Sequence, residues 1–170
     1  MKLAITTVCC VVLCSIPALA QKGPAMSDQQ FLDFAAQTDM VEAHIGQLAQ
    51  SEASRQDVKD YAQMLAADHT SDYQTLRGLA NKANLNLAGS IDDDHNKAMI
   101  GPYHKLNGAA FDHRYVQDMI AGHTKAIATY KQEAANAQDP EVKAYAEETL
   151  PTLQKHLDAA KALQKSKPGA

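Results

Sequence analysis

The sequence predicts an all-α protein, a bundle of four long helices arranged as two antiparallel hairpins. Valine and isoleucine are sparse while alanine is abundant, and no stretch alternates apolar and polar residues with a period of two. Apolar residues instead recur at steps of three and four along four long segments, as they do on helices that face a bundle core. The chain has 170 residues, 45% hydrophobic and 21% charged, which is typical of one ordinary globular domain.

The first twenty residues predict a secretory signal peptide. Lys2 supplies a positive charge, residues 3–13 are mostly apolar, and Pro17-Ala18-Leu19-Ala20 ends in an A-x-A cleavage pattern. The apolar stretch is shorter than the ~20 residues that a membrane span needs. We therefore expect cleavage near Ala20, a periplasmic or secreted protein, and no transmembrane segment in the mature chain. All three cysteines, Cys9, Cys10 and Cys14, lie in this segment. The mature chain is therefore expected to contain no cysteine.

Two helices are expected in the first hairpin. The first begins at Ser27, whose hydroxyl can cap the helix while Gln30 completes a capping box, and it runs to about Glu52. The second is expected to begin at Ser54, with an aspartate at the same capping spacing, and to run to about Ala83.

The second hairpin follows a long connection. Residues 91–106 predict a short helix interrupted by Gly101-Pro102. A third long helix is expected from about Gly108 to Ala135. The fourth begins at Asp139-Pro140-Glu141, where aspartate caps, proline takes the first helical position and glutamate complements the dipole, and it runs to about Leu163.

These elements define a bundle domain over residues 28–163, followed by a polar tail over residues 164–170. Tight turns join the first helix to the second and the third to the fourth, whereas residues 84–107 separate the second from the third. Two antiparallel hairpins joined by a long crossover make the arrangement of ferritin-like bundles.

The charge of the chain argues against a nucleic-acid partner. It has 16 basic and 20 acidic side chains, a formal net charge of −4, and no block of five or six like charges. The expected macromolecular partner is an unidentified protein or a second copy of the chain.

Three predicted helices place a histidine on the core-facing side near the middle of the helix: His69, His123 and His156. Burying an imidazole without partners costs about 1–3 kcal/mol, so their presence there needs a reason. Counted from the two predicted turns at ~1.5 Å per residue, the heights of His69 and Glu42 differ by roughly 7 Å, and those of His123 and His156 by roughly 6 Å. A cluster of these four side chains in the middle of the bundle is therefore feasible.

Two interpretations of this cluster stay open. In the first, Glu42, His69, His123 and His156 hold zinc, iron or copper, since imidazole nitrogen and carboxylate oxygen suit these ions and no thiolate is available. In the second, the histidines form a polar network with hydrogen-bond partners on the facing helices. The partners expected in that network are Asp72, Thr38, Thr149 or a backbone carbonyl.

Ferritin-like di-iron proteins carry a glutamate three residues before a histidine on each of two helices. The corresponding residues here are Ala66, Ile120 and Leu153. A standard di-iron carboxylate site cannot be built, so a bound metal is expected in a mononuclear site.

Other polar groups carry weaker signals. The three aspartates that precede His95 lack the glycine and the twelfth-position glutamate of a calcium loop, and they are interpreted as a solvated helix start. No Gly-rich phosphate loop, nucleophile elbow or cysteine nucleophile is present, so no catalytic residue is assigned. Four histidines are expected on the surface: His44, His95, His104 and His113.

Four motifs resemble one bacterial family. They are Ala67-Asp68-His69-Thr70; Gly108-Ala109-Ala110-Phe111-Asp112 with Tyr115; Gly122-His123; and Thr149-Leu150-Pro151 with Leu153 and His156. Over residues 28–163 they are similar to the exported proteins of domain-of-unknown-function family number 4142, in which a glutamate also stands at the position of Glu42. The resemblance implies a ferritin-like bundle in the cell envelope, where members are often labelled outer membrane proteins, and it implies no established activity.

Two functions follow as hypotheses. The first is an exported ferritin-like protein that binds a transition metal through its core histidines. The alternative is a non-enzymatic envelope protein, active in interaction or stress-related structure, whose polar core holds no metal and sets helix register.

Overall fold

The computed structural model describes residues 26–166, which form four long helices and a helical crossover. The predicted signal peptide, with its three cysteines, and the last four residues of the predicted tail lie outside the described residues. The helices are α1 Asp28–Glu52, α2 Gln56–Ala83, α3 Asp93–His95, α4 Gly108–Asn136 and α5 Pro140–Lys165. The all-helical fold class is confirmed, since residues 26–166 contain no strand.

Contacts at the two ends of the bundle define how the helices run. Asp28, at the start of α1, accepts hydrogen bonds from the backbone amides of Gln138 and Asp139 between α4 and α5. At the other end, Arg55 before α2 donates to the carbonyl of Leu163 near the end of α5. α1 packs most extensively on α2, and α4 on α5. Neighbouring helices are therefore antiparallel and the crossover runs the length of the bundle, which is compatible with a ferritin-like arrangement.

The predicted helix starts are confirmed at two positions and wrong at one. Ser27 forms the capping box with Gln30, and Asp139 accepts hydrogen bonds from the first amides of α5. Ser54, however, does not cap α2, which begins two residues later at Gln56 without a side-chain cap. The reason is a competing acceptor from the second hairpin: the Asp112 carboxylate accepts hydrogen bonds from the Ser54 amide, the Ser54 hydroxyl and the Arg55 amide.

The crossover is helical along much of its length. α3 is followed by a π turn, Asn96–Ile100, and a 3₁₀ turn, Gly101–Lys105, so the helix type changes at Gly101-Pro102, where an interruption was predicted. Buried Ile100 and Tyr103 anchor the crossover. Asp92 accepts a hydrogen bond from the His95 amide, as the predicted solvated helix start requires. At the other boundary, α5 extends through Lys165, two residues into the predicted polar tail.

The core consists of two apolar clusters separated by charged and imidazole side chains. One cluster contains Phe31, Leu76 and Tyr130, and the other contains Val41, Leu65 and Phe111. Between them lies a group that we call the polar layer. Its members are Asp39, Glu42, His69, His123 and His156, each no more than 4% exposed.

The remaining histidines lie away from the core. His44, His104 and His113 are exposed and His95 is partly exposed, as predicted.

In the described part of the chain, no helix has the length and apolar character that crossing a membrane requires.

Replacing Asp112 by alanine tests its role as the clamp between the hairpins. The substitution leaves two backbone amides without their acceptor, so we expect the free energy of unfolding to fall by about 3 kcal/mol. Asp158→Ala is the control, because that exposed carboxylate accepts only from Gln154 on its own helix, and a change within about 0.5 kcal/mol is expected. Equal effects in urea unfolding would contradict the clamp.

Candidate metal centre

Each long helix contributes one side chain to the centre of the polar layer. Glu42 comes from α1, His69 from α2, His123 from α4 and His156 from α5. One ring nitrogen from each histidine lies within 4.8 Å of the other two. The predicted convergence of the three histidines is therefore confirmed as geometry, and metal binding by these residues stays a prediction.

The inner atoms of the four side chains lie close together. His69 Nε2 is 3.0 Å from Glu42 Oε2, and His123 Nε2 is 3.6 Å from the same oxygen. His123 Nε2 also lies 3.3 Å from His156 Nδ1. Four ligands at the corners of a tetrahedron with bonds of about 2.0–2.1 Å are separated by about 3.3 Å. The three spacings above lie near that value, and the ligand nitrogens of the three histidines all lie within 4.8 Å of one another.

Three other groups hold the outer nitrogens of the rings. His69 Nδ1 lies 2.8 Å from Asp39 Oδ1, and His156 Nε2 lies 2.9 Å from Asp68 Oδ2. His123 Nδ1 donates to the backbone carbonyl of Met119 at 2.9 Å. Carboxylates and carbonyls in this position are typical of metal-ligating histidines, because they fix the ring orientation and the tautomer.

The predicted partners of the histidines on facing helices were wrong for Asp72, Thr38 and Thr149, and the one backbone carbonyl that a histidine uses, that of Met119, lies one turn earlier on the same helix as His123. Thr38 and Thr149 instead hydrogen-bond carbonyls four residues earlier on their own helices. Asp72 accepts a hydrogen bond from the Tyr145 hydroxyl at 2.6 Å. Short hydroxyls on a helix reach their own backbone more readily than a neighbouring helix, which explains the two threonines.

The outer hydrogen bonds determine where the inner lone pairs lie. A carbonyl can only accept, so His123 Nδ1 carries the proton and Nε2 of the neutral ring has a bare lone pair. The His156 Nε2 proton faces the Asp68 carboxylate, which leaves Nδ1 bare in the same way. Two lone pairs then face each other at 3.3 Å, an arrangement that needs a shared proton or a cation between them.

The contact between His69 and Glu42 has the same character. His69 Nε2 and Glu42 Oε2 lie 3.0 Å apart without hydrogen-bond geometry, and within residues 26–166 neither atom has another hydrogen-bond partner. When the His69 ring is neutral with its proton on Nδ1, both inner atoms are acceptors, and only a second proton on Nε2 or a metal ion gives them a partner. Unpartnered buried polar atoms are rare and costly, so two of them side by side point to a cation that both could bind.

The electrostatics of the layer favour positive charge at its centre. Burial acts to lower the pKa of His69, but the Glu42 carboxylate and the contact with Asp39 outweigh burial and raise the pKa well above its ordinary value. Burial acts to raise the pKa of Glu42, but the facing histidines, His69 first, hold it at about 2. Burial lowers the pKa of His156. It also raises the pKa of Asp39 from 3.8 to about 7, against the opposing hydrogen bond with His69.

Sequence reasoning missed two members of the site, Asp39 and Asp68. Asp39 lies three residues before Glu42 on α1, a spacing that places both on one helix face and could have revealed it. Asp68 directly precedes His69, and adjacent helical residues point about 100° apart. Asp68 therefore faces His156 on α5, while His69 enters the core. The sequence could not reveal this contact, because it depends on which helix packs beside α2.

Comparison with known proteins gives a family but no activity. A family model described as Domain of unknown function (DUF4142) matches residues 15–163, so the resemblance predicted from the motifs is confirmed. That description contains neither a ferritin-like nor an outer-membrane label. No curated protein and no solved structure matches the chain.

Replacing Glu42 by glutamine in metal-free protein tests the electrostatic account. The substitution leaves the buried His69 without its counter-charge, so we expect a loss of about 3–5 kcal/mol of unfolding free energy. The lowered pKa of Glu42 makes its contribution present above pH 4.5 and lost as the pH falls towards 2. The raised pKa of His69 makes its contribution fully present below pH 6.5 and lost at higher pH.

The difference between wild type and Glu42→Gln should therefore be largest from about pH 4.5 to 6.5 and should shrink towards pH 3. Urea unfolding across this range, with a chelator present, measures it. Glu147→Gln, which alters an exposed carboxylate on α5, is the control and should show no such maximum. A difference for Glu42→Gln that stays constant down to pH 3 would refute the account.

Proposed function

Because the chain belongs to the family described as Domain of unknown function (DUF4142), whose description assigns no activity, we propose a function from the site itself. The protein binds one divalent transition-metal ion through His69, His123, His156 and Glu42. Asp39, Asp68 and the Met119 carbonyl orient the three rings around the ion.

One observation carries this proposal. The outer hydrogen bonds direct the inner lone pairs of His123 and His156 at each other across 3.3 Å, next to the unpartnered pair of His69 Nε2 and Glu42 Oε2. In a purely structural network each of these acceptors would face a donor, just as each outer ring nitrogen has a hydrogen-bond partner. A divalent ion would satisfy all four inner atoms together.

The donor set and its spacing favour Zn²⁺, with iron or copper as the other ions that imidazole and carboxylate suit. Four protein ligands complete a tetrahedral shell, and closed shells of this kind are typical of structural or binding sites rather than catalytic ones. We therefore propose a metal-binding protein and not a metallohydrolase. The residues three before each histidine remain inconsistent with a di-iron centre.

We also propose that the protein acts outside the cytoplasm, in the bacterial cell envelope or beyond it. The support is the N-terminal segment: one lysine, a short apolar stretch and an A-x-A pattern that ends at Ala20. If all three cysteines are removed with that segment, a histidine and carboxylate site keeps its ligands in an oxidising compartment without competing thiol chemistry.

The metal prediction concerns stoichiometry and stability. After dialysis with excess zinc, we expect one ion per chain by inductively coupled plasma mass spectrometry. An ion present at about 1,000 times its Kd stabilises the folded state by about 4 kcal/mol, which raises Tm by roughly 10 °C for a chain of this size. If zinc, copper and iron all leave Tm unchanged and no transition metal is retained, the proposal is lost and the metal-free polar core becomes the better account.

A pair of variants links the ion to the site. His123→Gln removes one ligand while keeping a polar side chain, and we expect its zinc affinity to fall at least about 100-fold. His113→Gln changes an exposed histidine of the same helix and should bind zinc as the wild type does. Isothermal titration of both proteins, with circular dichroism as the check on folding, measures the difference.

The localisation prediction concerns the mature N-terminus. When the full chain is expressed in a bacterial host, the secreted or periplasmic fraction should contain a protein that begins at Gln21. Intact-protein mass spectrometry checks this, and Ala18→Lys with Ala20→Lys should block the cleavage. A protein recovered only from the cytoplasm with Met1 intact would contradict export.

A further inference from the structure

Two cavities in the described part of the chain reach the polar layer from different sides. The first, which we call the α1–α2 cavity, has a volume of about 380 Å³. Its lining includes Asp39, Met40, Ala43, His44, His69 and Ser90. The second, which we call the α1–α4 cavity, has a volume of about 280 Å³ and lies beside the π turn of the crossover. Its lining includes Glu42, Ala98, Met99, Arg114, Gly122 and Lys125.

Resting on the proposed function, we propose that the metal ion reaches its centre through the α1–α2 cavity, with His44 and Asp39 as transit ligands. No lysine or arginine is among the described residues that line this cavity, and Asp39 is one of the lining residues. The α1–α4 cavity is lined by two cationic side chains, Arg114 and Lys125. Its two carboxylates are the buried Glu42 and Asp118, and Asp118 is already paired with Arg114 at 2.6 Å. A metal ion on its way in therefore passes two permanently charged cationic side chains in the second cavity and none in the first, where the only group that can become cationic beside the site is the ligand His69 itself.

Asp39 has a carboxylate oxygen that could bind an ion on its way to the site. Its Oδ1 lies 2.8 Å from His69 Nδ1, while its Oδ2 is buried and has no hydrogen-bond partner among the residues that the structure describes. The residue as a whole is 2% exposed. A buried carboxylate oxygen without a hydrogen-bond partner costs free energy, which a cation bound by this lining residue would offset.

His69 links the cavity to the centre. Its Nδ1 edge faces Asp39, which lines the cavity with it, and its Nε2 lies next to Glu42 at the centre. Asp39 is therefore separated from Glu42, a member of the proposed ligand shell, by one imidazole ring.

The mouth of the cavity offers further donors. His44 is exposed and lies four residues after Met40, so the two side chains neighbour each other on α1. Imidazole and thioether groups bind late first-row ions, and a carboxylate follows deeper in the wall. Possible metal-binding side chains thus follow one another from the exposed His44 to the buried Asp39.

Two matched substitutions test the route. Ala43→Phe fills the α1–α2 cavity and Ala98→Phe fills the α1–α4 cavity, while neither changes a ligand. We expect Ala43→Phe to slow stopped-flow uptake of Co²⁺, followed by its visible absorption, at least 10-fold, with Kd unchanged within about threefold. Ala98→Phe should take up Co²⁺ at the wild-type rate. Slowing by Ala98→Phe alone, or equal rates in all three proteins, would overturn the proposal.

Charge at the mouth gives an independent readout. His44→Glu should raise the uptake rate several-fold at low ionic strength and His44→Lys should lower it, and the two rates should converge in 1 M salt as screening shortens the Debye length to about 3 Å. The same pair of substitutions at His113, which lines a cavity at the far end of the bundle, serves as the control and should leave the rate unchanged. Equal responses at both positions would overturn a route past His44.

The experiment separates the two proposals. A protein that binds no Co²⁺ or Zn²⁺ at equilibrium contradicts the proposed function. A protein that binds one ion with normal Kd but whose uptake ignores Ala43→Phe contradicts only the route. Metal-free Tm and circular dichroism of each variant show that the fold is retained before rates are compared.

Discussion

Four hydrogen-bond acceptors that face one another inside a low-dielectric core impose the main constraint on this protein. The outer nitrogens of the three histidines are held by Asp39, Asp68 and the Met119 carbonyl, so the rings cannot change tautomer to give the inner acceptors a donor. Positive charge at the centre relieves this conflict, whether a proton on His69 or a metal ion supplies it. The rest of the structure keeps these groups at one height and away from water.

Hydrogen bonds at both ends of the bundle fix the heights of the helices relative to one another. Asp28 ties the start of α1 to the turn before α5, and Asp112 ties the start of α4 to the turn before α2. Apolar clusters above and below the polar layer hold the helices at fixed separation. Because the crossover runs the length of the bundle, all neighbouring helices are antiparallel, and the midpoint of each one comes to the same level.

Much of this was predictable because it depends on local rules. Helix starts at Ser27 and Asp139, the break at Gly101-Pro102 and the convergence of three core histidines follow from capping chemistry and a period of 3.6. The errors arose where a group from a distant helix competes with a local one. Ser54 does not cap α2 because Asp112 accepts its hydrogen bonds, and the threonines do not reach the histidines because their own carbonyls are nearer.

Residue spacing along single helices is enough to predict the helices, their core-facing sides and the identity of four side chains in the middle of the bundle. The packed fold was needed to show which atoms of those side chains face inward, that Asp39 and Asp68 hold two of the rings, and that two cavities reach them. Hydrogen-bond direction and cavity shape depend on the rotation and separation of neighbouring helices, and a periodic pattern in one chain segment contains neither quantity.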